Sequence, residues 1–126
     1  MVTKGFQQLM AEAVSAVEQM SPADALALQA GEGAVFIDVR EPHEVEQGRI
    51  PNALHVPRAF LEMMADPAMP AHNPAFSSGR QLVVYCGSGA RSALAAKALT
   101  DMGLDKVANL SGGIQGWMQS GGPVER

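Results

Sequence analysis

Leu82-Val83-Val84-Tyr85-Cys86-Gly87-Ser88-Gly89-Ala90-Arg91-Ser92 passes from an apolar run through a Gly-Ser-Gly loop into a helical pattern that continues to Met102 and closes on Gly103. A short, almost uninterrupted apolar run such as Leu82–Cys86 is what a strand buried on both faces of a parallel sheet requires. The helical stretch is crowded with Ala90, Ala93, Ala95, Ala96 and Ala98. These small residues let a backbone lie close to a sheet, while Leu94, Leu99 and Met102 fill the gaps. Strand, glycine loop and helix in this order predict a buried crossover unit.

Working outward, Ala34–Val39 is a second apolar, β-branched run, and it ends on charge. A short strand around Lys106 to Asn109 and a last helix through Trp117 continue the alternation. The expected fold class is therefore α/β, a single domain with a central, mostly parallel β-sheet flanked by helices. Ser21-Pro22-Ala23-Asp24 reads as a helix start, with Ser21 as N-cap and Pro22 at the first helical position. Before it, Phe6, Leu9, Met10, Ala13, Val14, Val17 and Met20 share one helical face, which predicts a helix over 6–20. Residues 1–20 are thus expected to be an N-terminal helical extension of a domain spanning 21–126, packing either on that domain or on a partner. From Arg58 to Arg80, a helical pattern over Phe60–Ala65 gives way to Pro67, Pro70 and Pro74. This insert is either a lid or a long connection held to the core by its apolar residues.

Composition narrows the chemistry. The chain has 126 residues, 47% of them hydrophobic and 17% charged, enough for one core but not for two. A net charge of -4 has the wrong sign for a nucleic-acid binder. No apolar run is long enough to span a membrane, and no signal-peptide pattern opens the chain, so the expected location is cytoplasmic. There is one cysteine. It cannot form an internal disulfide, and His43, His55 and His72 are too scattered to make a metal motif with it, so neither metal nor cofactor is expected.

Cys86 is either a buried filler or a reactive group. It falls at the carboxyl end of a predicted strand and just before a helix, where α/β domains place their chemistry. Gly87, Ser88, Gly89, Ala90 and Arg91 can turn successive N–H groups inward as an anion cradle. A thiolate is such an anion, so the same cradle, with Arg91 as a nearby cation, should lower the thiol from its reference of about 8.5. Glycines contribute no packing contacts and lose conformational entropy on folding, which favours the reactive reading.

Cys86-Gly87-Ser88-Gly89-Ala90-Arg91-Ser92 resembles the active-site loop of the rhodanese sulfurtransferase family. Asp38-Val39-Arg40-Glu41-Pro42, then Glu44, then Gly48-Arg49-Ile50-Pro51-Asn52-Ala53 is similar to the family's first signature, with Arg49 and Asn52 where His and Gly are usual. Leu110-Ser111-Gly112-Gly113-Ile114-Gln115-Gly116-Trp117 matches its C-terminal signature. The resemblance covers roughly residues 21–122 and implies a rhodanese-like fold. It also implies a persulfide mechanism in which Cys86 takes a sulfane sulfur from thiosulfate, mercaptopyruvate or a protein persulfide and passes it to cyanide or a thiol.

In the family, residues such as Asp38 and Arg40 brace the loops around the catalytic one; Arg58 is either a solvated surface residue or a group on the pocket rim. Related cell-cycle phosphatases use a loop one residue longer than the six residues from Cys86 to Arg91, so a phosphatase or arsenate reductase ranks below sulfur transfer. A non-catalytic docking or regulatory module is the alternative from another class.

Overall fold

The computed structural model describes residues 1–126. In chain order the elements are α1 (Phe6–Ala16), β1 (Glu18–Met20), α2 (Pro22–Gln29), β2 (Ala34–Asp38), α3 (Pro42–Val45), β3 (Leu54–His55), α4 (Leu61–Ala65), β4 (Gln81–Tyr85), α5 (Ala90–Asp101), β5 (Val107–Leu110) and α6 (Gly113–Gln119). Five strands form one sheet in the order β1-β5-β4-β2-β3, and every pairing is parallel. The expected α/β class holds, with β4 at the centre. No helix is long and apolar enough to cross a membrane.

Alternation along β4 sorts the core into two layers. Leu82, Val84 and Cys86 face Val35, Ile37, the α5 residues Ala95, Ala96 and Leu99, and Leu61 and Ala65 of α4. Val83 and Tyr85 face Phe36, Ala108, Leu110, Ala25 of α2, and Ile114 and Trp117 of α6. Trp117 is fully buried, meets Phe36 edge-on at 5.7 Å and donates from Nε1 to the Pro123 carbonyl at 2.8 Å, so it anchors the last helix. Ser21 Oγ accepts from the Asp24 N–H at 3.1 Å, the expected cap of α2. Asn52 is the one non-glycine residue with a left-handed backbone, at φ 66°, a conformation asparagine tolerates where glycine is usual.

The first helix differs from expectation. It stops at Ala16, and Glu18–Met20 becomes an edge strand paired with Ala108–Leu110. Val17 and Met20 still reach the core, because a strand side chain can bury at the same positions that a helix face would. Of the apolar face of α1, Ala13 is buried, whereas Phe6, Leu9 and Val14 remain exposed. The helix packs mainly on α5. The 58–80 insert is a connection fastened to the core by Leu61, Ala65 and Phe76, with Met64 packed against them and Phe60, Met63 and Met69 left at the surface.

Candidate active site

Cys86 follows the last residue of β4, and the chain then turns through Gly87-Ser88-Gly89 into α5. Gly89 caps that helix at φ 103°, a left-handed conformation that a side chain would strain. The turn brings the Gly89 N–H within 3.1 Å of Sγ and the Ser92 N–H within 3.4 Å, and Ser92 Oγ lies 3.4 Å away as well. The thiol is fully buried. Burial raises its pKa, but hydrogen bonds from the Ser92 hydroxyl and N–H and from the Gly89 and Ser88 amides outweigh that cost and hold Cys86 below its ordinary value.

The C-terminal signature closes on this loop from behind. The Ile114 N–H donates to the Cys86 carbonyl at 2.9 Å and the Gln115 N–H to the Gly87 carbonyl at 3.1 Å. Gly113, at φ 61°, stands so close that an added Cβ would lie 2.5 Å from the Gly87 oxygen and 2.6 Å from the Cys86 oxygen. A glycine at position 113 is therefore a packing requirement of the cysteine loop.

Arg91, expected as the local cation, carries its charge in a pair with a carboxylate. Its guanidinium forms a two-pronged ion pair with Glu44 of α3, at 2.8 and 2.9 Å, and its pKa is raised chiefly by that bond. The Arg91 bond, working against partial burial, holds Glu44 down at about 2. The charge of Arg91 is thus matched by a carboxylate; the donors that chiefly lower the thiol pKa are the neutral ones around the sulfur, with Arg91 and Cys86 also attracting each other.

Asp38 and Arg40 form the buried brace that the family pattern implies. Arg40 Nη2 lies 2.7 Å from Asp38 Oδ2 and donates to the Gly48 carbonyl at 2.7 Å, while Nη1 donates to the Glu44 carbonyl at 3.2 Å. One side chain therefore ties the end of β2 to α3 and to the turn beyond it. Arg58 is paired with Glu62 at 2.8 Å on the surface, although its N–H is held by the Val39 carbonyl. His55 bonds the Arg40 carbonyl and His72 bonds Ser77.

The rhodanese-like domain family model matches residues 21–120. The chain belongs to the rhodanese family. A sulfurtransferase of Allochromatium vinosum is 37% identical over 93 residues, which make up 74% of this chain and 79% of that protein. A thiosulfate sulfurtransferase of Actinobacillus pleuropneumoniae is 28% identical over 107 residues, 85% of this chain and 92% of its own. Among solved structures, a protein of unknown function from Rhodopseudomonas palustris, described as a possible tyrosine phosphatase, superposes with a TM-score of 0.95 at 41% identity, over 99% of this chain and 97% of that one. A rhodanese-related protein of Thermoplasma volcanium gives 0.69 at 29% identity, covering 86% and 97%.

Within this rhodanese site, the cradle extends beyond the Gly87–Arg91 segment singled out from sequence. Ser92 supplies two of the groups nearest the sulfur, and its hydroxyl is 2.6 Å from Asn109 Oδ1 on β5. Asn109 is the one polar residue in the buried strand Val107-Ala108-Asn109-Leu110. An amide in such a run is a signal that a buried partner exists, but nothing local in the sequence says which.

Proposed function

We propose that this chain is a sulfurtransferase in which Cys86 is the nucleophile and the persulfide carrier. The observation that carries the reading is the convergence of the Gly89 N–H, the Ser92 N–H and the Ser92 hydroxyl on a single buried sulfur at the end of β4. With thiosulfate as donor, the Cys86 thiolate attacks the outer sulfur, the S–S bond of the donor breaks, and sulfite leaves with the electron pair. The acceptor, cyanide or a thiolate, then attacks the terminal sulfur of the persulfide, and the Cys86 thiolate leaves. Both half-reactions begin or end with an anion on the cysteine sulfur, which the same donors stabilise. Mercaptopyruvate or a protein persulfide can enter by the same displacement.

Two features favour sulfur over phosphate. The loop from Cys86 to Arg91 is a residue shorter than the phosphatase loops it resembles, and Arg91 is engaged by Glu44 instead of being aimed across the loop at a substrate oxyanion. Asp38 and Arg40 hold the neighbouring turn in place as supporting residues, and Arg58 is the candidate in the insert for contact with a charged donor.

Intact mass after exposure to thiosulfate or mercaptopyruvate tests the proposal. Wild type should gain one sulfur atom, lose it to cyanide with release of thiocyanate, and show no gain as Cys86→Ala. Absence of the gain in wild type, or Cys86-dependent turnover of an aryl phosphate in its place, overturns the reading.

A further inference from the structure

Asn109 is 2% exposed, and a buried amide costs stability unless both its ends are bonded. Here the bonds lead to the sulfur at one end and to the N-terminal strand at the other. Oδ1 lies 2.6 Å from Ser92 Oγ, which is itself 3.4 Å from Cys86 Sγ. Nδ2 donates to Gln19 Oε1 at 3.0 Å and to the Gly89 carbonyl at 3.4 Å. A carbonyl only accepts, so the Asn109 atom facing Gly89 must be the nitrogen, and its oxygen must face Ser92. Gln19 is fixed by the same logic, because its Nε2 points at the Val17 and Val14 carbonyls. The two amides are also register partners across the β1–β5 pairing.

A serine hydroxyl has one proton to give. Asn109 Oδ1 and Cys86 Sγ both compete for it, and Asn109 makes the shorter contact. With the proton on the Asn109 side, Ser92 Oγ turns a lone pair toward sulfur and accepts the thiol S–H. With the proton on the sulfur side, it stabilises the thiolate. We propose that Asn109, oriented by Gln19, is a positioning residue that competes with Cys86 for the Ser92 hydroxyl proton, so that Ser92 stabilises the thiolate less than it would alone, and that this competition sets the fraction of the cysteine present as thiolate. A thiolate restrained in this way is also a poorer leaving group, which keeps the transferred sulfur on the carrier. The inference deepens the sulfurtransferase reading and rests on it only in that last consequence.

The charged groups around the sulfur are each paired with an opposite charge, and Arg91, which also feels the charge of Cys86, acts on the thiolate without touching the Ser92 proton. Arg91 of α5 is paired with Glu44 of α3, whose oxygen also accepts from the Glu41 N–H, and Asp38 is paired with Arg40 at the end of β2. Strand β5 and the loop-facing residues Gln19 of β1 and Gln115 of α6 bring neutral groups.

Ultraviolet absorbance of the thiolate, followed against pH on the full chain, reads the effect directly. The chain has one cysteine and one tyrosine, and Tyr85 is pushed far above the ordinary phenol range by burial and by the charge of Asp38, so its phenolate does not interfere. Ser92→Ala should raise the midpoint. Asn109→Ala should lower it by about half to one pH unit, a roughly three- to tenfold gain in thiolate at a fixed pH below the midpoint. In the Ser92→Ala background, Asn109→Ala should have no effect. An unchanged or raised midpoint in Asn109→Ala, or an equal shift with and without Ser92, overturns the proposal, since a packing change would act in both backgrounds. Gln19→Met alters an exposed side chain and covers the case in which Asn109→Ala fails to fold; it should lower the midpoint by a smaller amount, and no change there also overturns the proposal. The titration uses no sulfur donor, so its result stands apart from the persulfide-loading experiment.

Discussion

Replacing Gly113 by alanine should be far more damaging than the same change at its neighbour Gly112, although both have left-handed backbones, at φ 61° and 78°. A left-handed alanine costs about 1–2 kcal/mol. At Gly112 the cost ends there, because the nearest atom to an added Cβ is 3.5 Å away, an ordinary contact. At Gly113 the Cβ would meet the Gly87 and Cys86 carbonyl oxygens at 2.5 and 2.6 Å, close to an ångström inside contact distance. Both obstacles are backbone, so no side chain can swing away. The loop and the start of α6 must separate, which breaks the hydrogen bonds from Ile114 to Cys86 and from Gln115 to Gly87. At about 1 kcal/mol for each lost bond, Gly113→Ala should cost about 3–4 kcal/mol, against about 1–2 for Gly112→Ala. Urea unfolding measures the difference, and persulfide loading of the folded fraction should fall for Gly113→Ala alone. Equal midpoints for the two variants, with wild-type loading in both, would refute the claim that Gly113 is needed to seat the cysteine loop.

Arg40→Leu strands the fully buried Asp38 carboxylate and removes the ties to Gly48 and Glu44; a loss of about 3–5 kcal/mol in denaturant unfolding is expected, the usual cost of breaking a buried pair. Glu44→Gln tests the surface pair with Arg91. Since the Glu44 carboxyl is depressed to about 2 from 4.5, its contribution is complete above 4.5 and lost as pH falls toward 2. The stability gap between wild type and Glu44→Gln should therefore close across that window, and it should stay below about 1 kcal/mol because both side chains are partly solvated; a gap that widens in acid would contradict the pairing. At the left-handed Asn52, Gly should be tolerated within about 0.5 kcal/mol, whereas a β-branched Val should cost about 1–2 kcal/mol, as read from thermal unfolding.

The sheet and its crossover helix were legible because Leu82–Cys86, Ala34–Val39 and the alanine-rich segment after Gly89 each carry a single strong periodicity. The boundary between α1 and β1 was not. Val17 and Met20 continue the helical spacing of Phe6 to Val14, and a three-residue edge strand has no period of its own; only the pairing with Ala108–Leu110 selects it. In the site, the strand-end position of Cys86 and the glycines around it could be read locally. The partner of Arg91 could not, since Glu44 lies 47 residues earlier, and a cation beside an anionic sulfur was the simpler expectation. Ser92, Asn109 and Gln19 meet only when β1 and β5 are in register, so their hydrogen-bonded chain belongs to the tertiary structure. What the sequence did offer was an asparagine inside an otherwise apolar strand.

The pairing of the first strand with the last has a consequence for how the molecule is made. Glu18–Met20 leaves the ribosome long before Ala108–Leu110 exists, and the Gln19–Asn109 contact spans 90 residues. Closing so long a loop is slow relative to local structure. During synthesis, β2 and β4, the strand that leads into Cys86, can pair before β5 and the start of α6 have emerged to seat the loop. A nascent chain therefore carries a thiol whose cradle is completed only when β1 and β5 pair.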